Sequence, residues 1–177
     1  MRFLFVMDPA EGMIPDKDTS FAFARAAGAR GHECLHCLPA QVGAVGSDVV
    51  VTARPFSVSD SAPHVTLGSP SDFRVAELDA VFIRKDPPFD SAYLYLTQVL
   101  DLVKDQTLVV NDPRGLRDAN EKLFALQFVD WMPRTRVSSN PAEILAFTKE
   151  VGGVAVLKPL DGAKEFFWDA KTLGEWA

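Results

Sequence analysis

No apolar run in this sequence approaches the roughly 20 residues that a membrane-spanning helix needs, which argues against insertion into a bilayer. Cysteine is scarce, and the 2 present among 177 residues cannot build the disulfide framework of a small secreted protein. Positive charge is in deficit: 18 Lys and Arg face 24 Asp and Glu, for a formal net charge of -6, and the basic residues do not cluster. Generic nucleic-acid binding, which neutralises phosphates with grouped cations, is therefore disfavoured, while local sites for small anions remain open. The first βα turn, Met7 to Asp18, has no G-x-G-x-x-G, and no G-x-x-x-x-G-K-[ST] occurs anywhere, so neither a dinucleotide fingerprint nor a P-loop is present. Repeats and low-complexity tracts are missing too. The start, Met1 to Asp8, has no small-residue cleavage site and reads as a strand rather than a signal peptide, which favours a cytoplasmic location as the expectation.

What is there is ordinary for a globular chain: 47% hydrophobic and 24% charged residues, enough to bury a core. The pattern predicts a strand over residues 2 to 7, then a helix capped by Asp18, with Phe21, Ala24 and Gly28 toward a sheet and Gly31 at its carboxyl end. A second strand follows from His32 to Leu38. Strand, helix, strand implies a parallel pair with a right-handed crossover. Cys34 and Cys37 form a C-x-x-C with His36 between them, but residues three apart on a strand point to opposite faces, so the sulfurs cannot share an ion or a bridge. His32, Cys34 and His36 share one face, and strand packing outweighs a metal site there. Residues 39 to 76 read as hairpins or an insertion, with Val49-Val50-Val51 one strand core and Ala53 to Val58 a weaker one.

Leu78 to Ile83 has the character of a buried strand, and Tyr93, Leu96, Thr97, Leu100 and Val103 recur at helical spacing. Between them lies Arg84-Lys85-Asp86-Pro87-Pro88-Phe89-Asp90. Ligands of open α/β sheets bind beyond the carboxyl ends of strands, so these charges suit a binding loop as well as a solvated turn. Thr107 to Val110 is a further strand, and the first domain, residues 1–118, closes near Asp118. The second, residues 119–177, opens with a helix at Asn120, then a strand around Thr135 to Ser138. A helix starts at Asn140-Pro141 with Glu143, Gly152-Gly153 ends it, and a strand from Val154 turns Lys158 to an inner face.

In their order and approximate spacing, Val6-Met7-Asp8-Pro9, Asp18-Thr19-Ser20-Phe21, the Arg84 to Asp90 loop, Leu116 to Leu123 and Leu157-Lys158-Pro159-Leu160-Asp161-Gly162 resemble bacterial glutathione synthetase, an ATP-grasp carboxylate-amine ligase. The resemblance implies an α/β fold: a Rossmann-like, parallel-sheet pre-ATP-grasp domain followed by the start of an ATP-grasp domain. It implies that ATP phosphorylates γ-glutamylcysteine and that the amine of glycine displaces phosphate, with magnesium bridging the nucleotide. Lys122 and Lys158 match the family's nucleotide-phosphate lysines. Arg84, with the amides near Asp18 and Ser20, suits the carboxylates of the dipeptide, and Asp8 and Asp86 either bind its amine or orient their loops.

The sequence departs from the family after Gly162, where Ala163-Lys164-Glu165 replaces a glycine-rich phosphate loop and no later acidic cluster can hold magnesium. The expectation is that this chain alone does not complete ligation. Phe166, Phe167, Trp168, Leu173 and Trp176 would then need a partner, by self-association or a complementary fragment. The competing expectations are a non-catalytic module that binds the dipeptide and one half of a split, hetero-oligomeric ligase.

Overall fold

In the computed structural model the chain divides into two compact units, Met1–Asp118 and Ala119–Ala177, and the structure describes residues 1–160 and the backbone of Phe166–Asp169. In the first unit, β1 (Arg2–Met7), β2 (Glu33–Cys37), β7 (Ala80–Arg84) and β8 (Leu108–Val110) are the parallel heart of a sheet, in the order β2-β1-β7-β8. Two helices follow strands of this heart: α1 (Thr19–Ala29) after β1 and α2 (Ser91–Asp101) after β7. A short α3 (Pro113–Asp118) closes the unit.

The alternation of β1 explains why the sheet is covered on both faces. Leu4 and Val6 pack with Leu35, Cys37, Tyr93, Leu96, Leu100 and Val103 in one core, whereas Phe5 and Met7 pack with Phe21, Ala24, Ala27, Cys34 and Phe56 in the other. Each fully buried aromatic or aliphatic side chain here contributes roughly 1.5–3 kcal/mol relative to exposure. Cys34 and Cys37 thus lie on opposite faces, both as free thiols. One helix position differs from expectation. Ala27, not Gly28, is the third member of the buried apolar stripe of α1, which runs Phe21, Ala24, Ala27 at three-residue steps. The helix ends as the sequence predicts, with Gly31 at φ +74°, a conformation that costs glycine nothing.

The segment between β2 and β7 supplies antiparallel additions: β3 (Val42–Val45), β4 (Asp48–Val58), β5 (Val65–Leu67) and β6 (Ser71–Arg74). The two strand cores read in the sequence are one continuous 11-residue strand. Its first half pairs with β3 and β6, and its second half with β2 and β5, so the sheet is mixed rather than wholly parallel.

The second unit holds a 3-10 segment (Phe124–Trp131), α4 (Pro141–Glu150) and the antiparallel pair β9 (Val154–Leu157) and β10 (Phe166–Asp169). Asn140 caps α4 by accepting the Ala142 N–H at 3.0 Å. The helix expected at Asn120 is 3-10 with a break at Phe128. The strand expected around Thr135 to Ser138 makes no ladder among the described residues. Instead Arg134 and Arg136 reach the α4 carboxylates of Glu150 and Glu143, tying the segment down by side chains. Lys158 does not follow an inner face: Val154 and Val156, on its side of the strand, are 63% and 47% exposed. The readings made on Ala163 to Glu165 and on the side chains of Phe166 to Trp176 lie outside the described residues.

Candidate functional site

Parallel pairing of β1 with β7 sets Met7 beside Arg84, so the loops that leave these strands emerge together at one edge. Asp8 begins the first loop and Lys85 the second. Asp8 Oδ2 accepts the main-chain N–H of Asp86 at 3.1 Å, and Lys85 Nζ lies 3.3 Å from Asp8 Oδ1, a pair still partly open to solvent. The first loop returns into α1, whose start is fixed by Asp18: its Oδ1 accepts the Ser20 N–H at 2.8 Å. This orders the two hydroxyls that receive Arg84. Its Nε donates to Ser20 Oγ at 3.0 Å and its Nη2 to Thr19 Oγ1, with Phe23 beneath the guanidinium at 5.9 Å.

The result is a cavity of about 340 Å³ at the carboxyl ends of the strands, lined by Asp8, Asp18, Ser20, Arg84 and Asp86 together with Met7, Pro9, Gly12 and Met13. All five residues singled out in this unit from the sequence line that one cavity. Three carboxylates and one cation, Arg84, at its wall suit a zwitterion better than a simple anion. Among the described residues Arg84 has hydroxyl partners and no carboxylate within ion-pair distance. A slightly larger hollow, about 370 Å³, lies between the end of α1 and β4–β5, at the amino end of β2. Its rim cation Arg25 is already paired with Asp60, and its floor is apolar, so the strand-end cavity is the better chemical candidate.

Three residues here were missed by the sequence reading. Lys85 stands in the quoted loop, but only the pairing shows its ammonium turned back onto Asp8. Tyr93, packed against Phe89 in the first turn of α2, lies near enough to Arg84, Asp86 and Asp8 to feel their charges, and burial raises its phenol above the usual value. His36 is 5% exposed, and its Nε2 is 3.1 Å from the Asp8 carbonyl. Burial lowers its proton affinity, aided by Arg54 and opposed by the Asp8 carbonyl and Glu11.

In the second unit the structure places Lys122 and Lys158 on segments that are joined to one another. Asn120 Oδ1 accepts the N–H groups of Lys122 and Leu123, and Asn120 Nδ2 donates to the Leu160 carbonyl at 3.0 Å. Lys122 Nζ also meets Glu121 at 2.7 Å. No helix among the described residues is long and apolar enough to cross a membrane.

Comparison with known proteins gives the family of the chain. Residues 1–117 match the family described as prokaryotic glutathione synthetase, N-terminal domain, and residues 121–165 match prokaryotic glutathione synthetase, ATP-grasp domain. Glutathione synthetase of Gloeobacter violaceus is 40% identical over 169 residues, covering 92% of this chain and 52% of the relative. Glutathione synthetase of Shewanella oneidensis is 41% identical over 159 residues, covering 89% and 50%. The chain thus spans about half the length of the curated relatives it matches. Among solved structures, the ATP-grasp ligase PsnB complexed with a phosphomimetic variant of its minimal precursor, Mg and ADP aligns with a TM-score of 0.53 at 19% identity, over 97% of this chain and 58% of that one, a likeness of fold. With the match running through its whole first unit and into the second, the chain belongs to the prokaryotic glutathione synthetase family.

Proposed function

We propose that this chain carries the dipeptide-recognition region, and the opening of the nucleotide site, of a cytoplasmic ATP-dependent ligase that forms glutathione. γ-Glutamylcysteine occupies the strand-end cavity, with one carboxylate on Arg84 and its ammonium toward the acidic wall of Asp18 and Asp86. ATP binds through Lys122 and Lys158 and transfers its γ-phosphoryl group to the cysteinyl carboxylate. The amine of glycine then attacks that acyl carbon, phosphate leaves, and ADP and glutathione remain. The observation that carries this reading is Arg84, a guanidinium aimed by two hydroxyls at a cavity and left without a carboxylate among the described residues.

The fold family implies magnesium beside the nucleotide. Among the described residues no three His, Cys, Asp or Glu converge as a metal site requires, so those residues do not fit the ion.

Calorimetric titration with γ-glutamylcysteine, with and without ATP, tests the proposal. Wild-type protein binds saturably, and Arg84→Ala weakens binding about 10- to 100-fold, the worth of a charge-assisted hydrogen bond. No saturable binding by the wild type overturns it. Binding that is indifferent to ATP favours a non-catalytic module.

A second reading adds a partner to the second unit, favoured by Trp131 at 90% exposure beside exposed Phe128 and Val129. The partner is a second copy or a complementary ATP-grasp fragment. A sedimentation coefficient that does not change with concentration argues against self-association.

A further inference from the structure

The dipeptide reading gives no task to the buried histidine of the first unit. His36 sits in β2, one strand removed from the loop that begins with Asp8, opposite Phe5 in the ladder and edge-on to Phe56 at 6.2 Å. Its Nε2 is 3.1 Å from the Asp8 carbonyl oxygen. A carbonyl only accepts, so the contact is a hydrogen bond only if Nε2 carries the proton, which settles the tautomer of the neutral ring. The position of the bond matters. Asp8 is the first residue beyond β1, where ladder pairing with β2 has ended at Val6 and Cys37, and its side chain is the hub between the two loops.

We propose that His36 is a positioning residue: by donating Nε2–H to the Asp8 carbonyl it fixes that peptide, so that the Asp8 carboxylate holds the Asp86 N–H and Lys85 and keeps the Arg84 loop in its binding-competent form. The role goes beyond filling the core. An apolar ring of the same size would satisfy the packing against Phe56 and leave the Asp8 peptide without its donor. The consequence for the dipeptide rests on the binding function proposed above, whereas the effect on the loops does not.

The test has a ligand-free arm and a ligand arm. In wild-type protein, nitrogen NMR of the imidazole finds the Nε2–H tautomer; an Nδ1–H ring overturns the proposal without any variant. In His36→Phe, the Asp86 amide exchanges about 5-fold faster or more, the equivalent of about 1 kcal/mol of lost hydrogen bonding, while the amides of Phe5 and Leu35 keep their protection. His36→Gln, which offers an amide donor at similar reach, restores the slow exchange. Unchanged Asp86 exchange in His36→Phe, or a failure of His36→Gln to restore it, overturns the proposal. Dipeptide affinity is then expected to fall about 5-fold in His36→Phe and to recover in His36→Gln. If the wild type binds no dipeptide the function fails, and the exchange arm still decides the role of His36.

Discussion

Asp8 and Asp86, 78 positions apart, are joined by a 3.1 Å hydrogen bond from the main chain of one to the carboxylate of the other. The same carboxylate pairs with Lys85. An exposed ion pair contributes less than about 1 kcal/mol, whereas a backbone donor on a carboxylate contributes more. Asp8→Ala is therefore expected to lower stability by about 1–2 kcal/mol and Asp8→Asn, which keeps a neutral acceptor for Asp86, by less than about 1 kcal/mol, in urea unfolding. Equal losses would show that the ion pair, not the main-chain tie, holds the loops.

Two helix caps separate stability from binding. Asp18 accepts from Ser20 and Asp90 from Tyr93 at 2.9 Å, so replacing either by alanine costs about 1 kcal/mol of thermal or urea stability. Only Asp18 lines the strand-end cavity. Dipeptide affinity should fall in Asp18→Ala and stay within twofold in Asp90→Ala; the reverse pattern would move the site away from α1.

The two thiols are kept protonated by burial, Cys34 raised to about 11, with some help from Glu33, and Cys37 to about 12. Neither should react with a thiol reagent at pH 8 until the protein unfolds, and mass labelling counts the modified sites directly. Since the folded values lie above the unfolded one, their contribution to stability is complete below about pH 8.5 and is lost as pH rises from there through the folded values of about 11 and about 12.

Acid should weaken the fold in two stages. His36 has a lowered value, so its share of stability is complete above its unfolded value of about 6.5 and is lost as pH falls below it. Asp101 is lowered by hydrogen bonds from Lys104 and Arg117, and its share is lost only as pH falls below about 3.9. Urea midpoints between pH 7 and pH 3 should lose the upper stage in His36→Gln and the lower in Asp101→Asn. Profiles identical to wild type would remove these groups from the acid response.

The parallel heart and the loop edge were legible because β1, α1, β7 and α2 announce themselves locally: Asp18 and Asp90 cap, Gly31 stops, and Leu96 and Leu100 repeat at helical spacing. The strand expected near Thr135 was not formed, since extended residues do not say whether a ladder partner or an arginine-carboxylate pair will hold them. Lys158 was given the wrong face for a related reason, as alternation reveals two sides of a strand but not which one is covered. Lys85, Tyr93 and His36 were invisible as site residues because each acts through something remote in sequence, and His36 acts on a carbonyl that carries no side-chain signature at all. That Arg84 and Ser20 meet across 64 positions follows from the register of β1 with β7, which no local pattern states.

The 11 residues of β4 have a consequence for how the first unit breathes. One end of the strand is sewn into the hairpins formed with β3 and β6, the other into β2, with the exchange of neighbours falling between Ala53 and Arg54. A hinge between the hairpins and the central sheet would have to run through the middle of a strand whose Val49, Val51 and Ala53 are buried. The hairpins are therefore no detachable lid: they open only when the sheet that carries the strand-end cavity opens with them, and the unit should melt as a single cooperative body.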